Sequence, residues 1–232
     1  DALSKMNPEA LKIASFDVGN IIFLEKIGLL DKPVVMSTGG ANLEQIDISI
    51  KSLNLSNEKL AVLHCVSKYP CPHNQLLLQR IELLIKKYPD LVIGSSDHFN
   101  GILSGPLGYM AGSRIFEKHV TFDRSQKGTD HSFALEPDGF RKFVRDIRRT
   151  PEMMRLRKKS NLGNEPVFQK LGKSLFYRRD MKKGTQISAS DLNSKIFAEH
   201  GVPVRESKNI IGAKLSVDVK TGEKCSPMDL VL

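Results

Sequence analysis

Short apolar runs alternate with longer runs of helical period along the first 150 residues. The apolar runs are ALKIA (10–14), PVVM (33–36), LAVLH (60–64), LVIG (91–94) and SRIFEKH (113–119). They recur about every 25 residues, the spacing of strand–helix units. Between them, GNIIFLEKIGLL opens a helical pattern after Asp17 and Gly19. NLEQIDISIKSL carries Leu43, Ile46, Ile50 and Leu53 on one helical face, and NQLLLQRIELLIKKY carries Leu76, Leu77, Ile81, Leu84 and Ile85 likewise. PDGFRKFVRDIRR places Pro137 near a helix start. Strands that are apolar throughout and alternate with helices predict a parallel sheet covered on both faces.

The pattern changes in the tail. RDMKKGTQISASDL (179–192) returns as VDVKTGEKCSPMDL (217–230), with Asp180, Lys182, Gly184, Ser188, Asp191 and Leu192 recurring as Asp218, Lys220, Gly222, Ser226, Asp229 and Leu230. Each copy reads as a strand, a Lys-x-Gly turn and a second short element. The pair predicts a small β-rich module with pseudo-twofold symmetry. The expected division is an α/β domain over 1–157, a linker over 158–172 and the β-rich module over 173–232.

Two architectures suit the first domain, an open doubly wound sheet and a (β/α)8 TIM barrel. No GxGxxG or GxxxxGK[ST] loop favours the first. Instead, polar residues follow each strand: Ser15 and Asp17, Ser37 and Thr38, Ser67 and Tyr69, Ser96 and His98, then His119. In a barrel such strand ends point into one site. Five units are too few to close a barrel of about 250 residues, and the chain begins at Asp1. The expectation is a partial barrel of the last five units, its first three absent, that exposes open edges and does not act alone.

Composition narrows the setting. The 232 residues are 40% hydrophobic and 26% charged, with no apolar run near the ~20 residues that span a membrane and no N-terminal export signal. Three scattered cysteines point to a reducing compartment, hence the cytoplasm. The net charge of +9 is concentrated late: residues 151–232 hold 16 Lys and Arg against nine Asp and Glu. Without aromatic interleaving or a binding motif, this reads as a solvated helix face and linker, with no nucleic-acid partner.

The strand-end residues carry the chemistry. His98 and His119, from successive strands, can face one divalent ion with open positions left for a carbonyl oxygen; equally, each can bond a neighbouring loop. Ser15, Ser37 and Ser96 can offer donors to a phosphate. Lys12 sits inside a strand, where it needs an anion if it points inward.

Together KIASFD, VVMSTGGANLEQI, LHCVSKYPCP, GSSDHFNG, FEKHVTFDRSQKGTDHSFAL and SLFYRRDMKKGTQISASDL resemble the sialic acid synthases, which make N-acetylneuraminate, legionaminate and pseudaminate. The resemblance implies a TIM barrel followed by an antifreeze-like (SAF) domain. It also implies condensation of phosphoenolpyruvate (PEP) with an N-acetylmannosamine-type sugar, using Mn2+ or Mg2+, in a homodimer whose tails are swapped between subunits. By the same resemblance, His98 and His119 match the metal ligands, and Lys12, Ser15, Ser37, Ser67 and Ser96 match the PEP-binding set. Asp17, Tyr69 and Asp130 match the sugar positions, Asp17 standing where many members carry Glu. The family's first three strands bring a catalytic glutamate and a lysine that this chain lacks, and its SAF arginine falls near Ile196, beside Lys195. Two other readings are a non-catalytic carbohydrate- or ice-binding module and another metal-assisted aldolase on the same barrel.

Overall fold

The computed structural model describes residues 5–156, 163 and 165–231; of the expected linker, 158–162 and 164 lie outside the described residues. The chain forms two compact units, Asp1–Arg155 and Leu156–Leu232.

In the first unit, β1 (Leu11–Ile13), β2 (Val34–Ser37), β3 (Leu60–Cys65), β4 (Val92–Asp97) and β5 (Phe116–Lys118) make one parallel sheet in chain order. Their connections carry α1 (Ile21–Gly28), α2 (Leu43–Leu53), α3 (Gln79–Lys87) and α4 (Ser104–Met110), and α5 (Pro137–Met153) follows β5. The sheet curls as a half-barrel. Residues of one parity, Leu11, Ile13, Val34, Met36, Leu60, Val62 and Ile93, pack with Leu24, Ile27, Ile46, Leu53, Ile81 and Leu84 of the helices in a single core. The other parity lines the inner face. Its register runs Lys12–Val35–Ala61, then Ser37–Leu63–Gly94, then Cys65–Ser96–Glu117. The helix side is therefore mostly apolar, and the inner face becomes polar toward the strand ends.

The helices begin where local chemistry supplies a cap. Asn42 opens α2 with a capping box: its side chain accepts from Gln45 N at 2.8 Å, and the Gln45 side chain accepts from Asn42 N at 2.9 Å. The periodicity starts the third helix too early. Leu76 and Leu77 lie before α3, because the segment is held down on β3: the His64 imidazole bonds Leu76 O at 2.7 Å. Leu77 is left-handed there (φ 47°) and exposed.

Helix α4, SGPLGYM, is absent from the sequence expectation because two glycines and a proline resemble a loop. Packing explains both glycines. A Cβ on Gly105 would lie 2.6 Å from Phe143 and 2.8 Å from Ile147 of α5, and one on Gly108 would meet Phe116 at 3.4 Å. Pro106 sits in the first turn, where its missing N–H costs nothing. Helix α5 starts at Pro137 as expected and runs four residues beyond Arg149, to Met153.

The second unit holds α6 (Pro166–Leu171), β6 (Ser174–Tyr177), β7 (Leu192–Lys195), α7 (Ser207–Ile210), β8 (Lys214–Leu215) and β9 (Leu230–Val231). Strands β6 and β7 pair antiparallel, as do β8 and β9. The duplication is visible in the bonding. Met181 and Val219 exchange backbone hydrogen bonds at 3.0 and 2.9 Å. Lys182 reaches Asp218 at 2.7 Å while Lys220 reaches Asp180 at 3.1 Å. Gly184 and Gly222 take the same left-handed turn conformation (φ 83° and 81°), and Ser188–Asp191 and Ser226–Asp229 form matching capping boxes. Leu175, Tyr177, Met181, Ile187, Leu215, Val219 and Cys225 fill the core between the copies. No helix among the described residues is long and apolar enough to cross a membrane.

Asp191 links this unit to pH. The Arg179 guanidinium at 2.7 Å and the Ser188 hydroxyl and N–H hold its pKa at about 2, below the ordinary 3.8. A depressed carboxyl stabilises the fold above its unfolded value, and that contribution is lost as the pH falls through the folded value. Asp191→Asn is therefore expected to flatten the fall in melting temperature between about pH 4 and pH 2, followed by circular dichroism. An acid limb identical to the parent's would unlink Asp191 from acid stability.

Candidate active site

His98 and His119 each stand one residue past the paired ends of β4 and β5, where the alternation continued brings them onto the inner side of the mouth. Their backbones are held by neighbouring loops: His98 O accepts from Cys71 N and His119 O from Leu135 N, both at 2.9 Å. The ring centroids lie 5.2 Å apart with planes at 63°. Tyr69 packs 4.0 Å from the His98 ring and 5.9 Å from His119, and Phe133 packs 5.1 Å from His119.

The Nδ1 atom of each imidazole is already directed. His98 Nδ1 donates to Val66 O at 2.8 Å and lies 3.9 Å from Cys65 Sγ. Burial opposes charge on His98, but the Cys65 and Val66 contacts outweigh it and raise the pKa above an ordinary imidazole's. His119 Nδ1 faces Asp130 Oδ2 at 3.6 Å. Burial, then the neighbouring His98, push the His119 pKa down in spite of Asp130. Among the described residues no hydrogen bond engages Nε2 of either ring, which leaves it as the nitrogen open to a ligand. Among the described residues no group of three or more His, Cys, Asp or Glu is arranged to hold an ion. The donor chemistry here is two imidazoles, which fits a divalent ion with open positions.

A second feature lies beside the imidazoles. A Cβ on Gly39 would collide with Ser67 Oγ and lie 2.9 Å from Cys65 Sγ and 3.0 Å from Ser15 Oγ. Gly39 N donates to Ser15 Oγ at 2.8 Å. The absent side chain thus keeps a small polar cradle open between strand ends. Among the described residues the buried hydroxyls of Ser37 and Ser67 have no hydrogen-bond partner. Buried polar atoms of this kind ordinarily find one, so a ligand's oxygens suit the place.

Lys12 points inward, as its strand position requires. Its Nζ donates to Ile13 O at 2.8 Å and lies 3.4 Å from Glu117 Oε2, while Ser96 Oγ donates to Glu117 Oε1 at 2.6 Å. Lys12 is on β1 and Glu117 on β5, the two ends of the sheet, so the ion pair crosses the inner face. Glu117 is the residue the sequence reasoning missed. FEKH held the signal: a period of two places Glu117 on the same face as His119.

The expected sugar positions separate. Tyr69 and Asp130 flank His119, and with Phe16 and Thr129 they line an open cavity of about 610 Å³. Thr121 Oγ1 and His131 Nδ1, 2.7 Å apart, pin the loop that carries Asp130. Asp17 instead accepts from Asn20 Nδ2 at 3.4 Å at the start of α1. Among the described residues no hydrogen bond or ring contact joins Asp17 to the histidines.

The sequence model of the NeuB family matches residues 1–159, and that of the SAF domain matches residues 172–230. Uncharacterized protein MJ1065 of Methanocaldococcus jannaschii is 34% identical over 220 residues, which are 94% of this chain and 65% of that protein. N,N'-diacetyllegionaminic acid synthase of Legionella pneumophila is 31% identical over 228 residues, 96% of this chain and 64% of that one. The crystal structure of spore coat polysaccharide biosynthesis protein SpsE of Bacillus subtilis superposes with a TM-score of 0.63 at 27% identity, over 100% of this chain and 70% of that chain. The chain spans just under two thirds of the length of the curated relatives it matches.

The Gly39 cradle is directly testable. Gly39→Ala places a methyl among Ser15, Cys65 and Ser67. Crowding of this kind costs about 1–3 kcal/mol of fold stability, and the methyl takes up the space a ligand's oxygens would fill, so a lower melting temperature and a roughly tenfold or greater loss of affinity for inorganic phosphate are expected, the second read by calorimetric titration. Equal affinity in the variant would remove the cradle from the site.

Proposed function

The chain belongs to the NeuB family, and from that premise we propose that the whole protein condenses PEP with an N-acetylmannosamine-type sugar to give a nonulosonic acid and phosphate. The observation that carries the reading is the meeting, at one mouth, of the paired imidazoles, the open Gly39 cradle and Lys12.

The phosphate of PEP goes to the cradle, where Ser15, Ser37 and Ser67 offer hydroxyls. Lys12 supplies the positive charge, and Glu117 holds that ammonium in the inner face until the anion arrives. Ser96 fixes the Glu117 carboxylate from β4. The sugar occupies the open cavity against Tyr69 and Asp130. Asp17 is retained as a sugar residue from the resemblance alone. His98 and His119 would hold Mn2+ or Mg2+, which when bound supplies Lewis-acid polarisation of the sugar aldehyde. His119 suits that role because its lowered pKa keeps it neutral. Tyr69 and Phe133 shield one side of the imidazoles from water. In the balanced reaction the PEP methylene carbon bonds to the aldehyde carbon and water oxygen adds at the neighbouring PEP carbon. The bond from that carbon to the phosphate oxygen then breaks.

The surroundings extend the proposal. Cys65, Cys71 and Cys225 are free and buried, which suits a reducing, cytoplasmic setting. In the second unit, the Lys195 ammonium lies 5.0 and 4.8 Å from the ring centres of Phe176 and Phe197. That held cation is our candidate for the missing SAF arginine. From the resemblance we further propose a homodimer in which the tail of one subunit closes the mouth of the other; Pro166–Leu171 of the expected linker is helical, so it is not an extended tether throughout.

In the whole protein, His98→Ala and His119→Ala are each expected to abolish product formation from PEP and sugar without unfolding the protein; full activity in either would remove the imidazole pair from the mechanism. Mixing a tail-deleted subunit with an intact-tail His98→Ala subunit is expected to restore part of the activity. No recovery from exchanged, dimeric subunits would confine each tail to its own chain.

A further inference from the structure

Strand parity turns Asp97 and Lys118 away from the mouth, onto the helix side of the sheet. Positions there are mostly apolar, yet these two side chains are 6% and 1% exposed. They are register partners at the ends of β4 and β5, joined Nζ to Oδ2 at 2.6 Å. The remaining valences are directed too. Asp97 Oδ1 accepts from Phe99 N at 2.8 Å, and Asp97 Oδ2 also accepts from Ser104 Oγ of α4. Lys118 Nζ also donates to Phe99 O. Its ammonium lies 5.8 and 5.9 Å from the ring centres of Phe99 and Phe143.

Stability alone is a poor reason for such a pair. Removing two charges from water costs several kcal/mol per ion in effect, and apolar residues of similar volume often serve as well or better. Geometry is a better reason. Asp97 and Lys118 immediately precede His98 and His119. Lys118 grips the residues on both sides of His98, Asp97 by its carboxylate and Phe99 by its carbonyl. A one-residue slip of β5 against β4 would turn His119 to the helix side, and it would also bury a lysine without its carboxylate. The second cost makes the first improbable.

We infer that the Asp97–Lys118 pair, anchored by Ser104, is the positioning device that sets the separation and facing of the two imidazoles. Among the described residues no hydrogen bond joins either charged group to an imidazole; their bonds hold the backbone and loop on either side of the histidines. The consequence for metal affinity rests on the imidazole reading under Proposed function, but the positioning itself does not.

The test uses the whole protein with Asp97→Asn and Lys118→Met combined, which removes both charges and keeps an acceptor for Phe99 N. The melting temperature is expected to stay within about 3 °C of the parent's, roughly 1 kcal/mol for a domain of this size. The Mn2+ dissociation constant, read from free Mn2+ by electron paramagnetic resonance, is expected to rise about 10–100-fold, as for other groups that orient metal ligands. The nuclear magnetic resonance cross-peak between the His98 and His119 rings is expected to weaken or vanish. A folded double variant with the parent's Mn2+ affinity and an intact cross-peak would overturn the inference. If the parent binds no Mn2+, the metal reading fails, and the cross-peak alone decides the positioning. If the double variant does not fold, Ser104→Ala, which deletes one hydroxyl from the anchor, is read the same way. It is expected to weaken both signals, and parental values would overturn the inference.

Discussion

Alternation of side chains along a parallel strand is the constraint on which this molecule depends. Each residue goes to one face, and its ladder partners in neighbouring strands go with it. On the helix side this stacks Leu11, Ile13, Val34, Met36, Leu60, Val62 and Ile93 into a continuous core. The opposite parity must then share the other face. There, Lys12, Ser37, Cys65, Ser96, Glu117 and the two histidines collect with no further design than register. Curling brings the ends of the sheet together, so that Lys12 of β1 meets Glu117 of β5. One packing requirement therefore builds both the core and the site.

The exceptions to that division are informative. Asp97, Lys118 and His64 are buried on the helix side, and each is tied to a carbonyl, carboxylate or hydroxyl there. They lie near the strand ends, close to where the functional loops leave the sheet. Helix α4 comes near enough to bond Asp97 through Ser104 because its glycines admit the rings of α5 and β5. Small residues on one element and charged residues on the next are parts of the same arrangement.

The second unit is stabilised on a different principle. Its strands are short, and a two-stranded pair of that size is marginal in isolation. Duplication supplies what length does not. Each copy offers an aspartate to the lysine of the other, each turn is closed by a glycine, and each capping box satisfies backbone N–H groups with a serine and an aspartate. Tyr177, fully buried at the end of β6, has its hydroxyl 3.2 Å from Cys225 Sγ and 3.3 Å from Asp229 Oδ2, which ties β6 to the second copy through the core.

The sequence by itself determined what depends on near neighbours. The five strands, the helices after β1, β2, β3 and β5, the Pro137 helix start and the duplicated tail follow from periodicity and turn chemistry within a few residues. The strand-end positions of His98, His119 and the serines follow from the same pattern. Tertiary structure decided what depends on register, curl and packing. It placed Glu117 between Lys12 and Ser96, set Gly39 among Ser15, Cys65 and Ser67, and left Asp17 with Asn20 rather than with the histidines. It made a helix of SGPLGYM, where propensity alone disfavours one, because close contact with Phe143 and Ile147 tolerates only small residues. These pairings join residues far apart along the chain, and only the strand order and the curvature of the sheet set their distances.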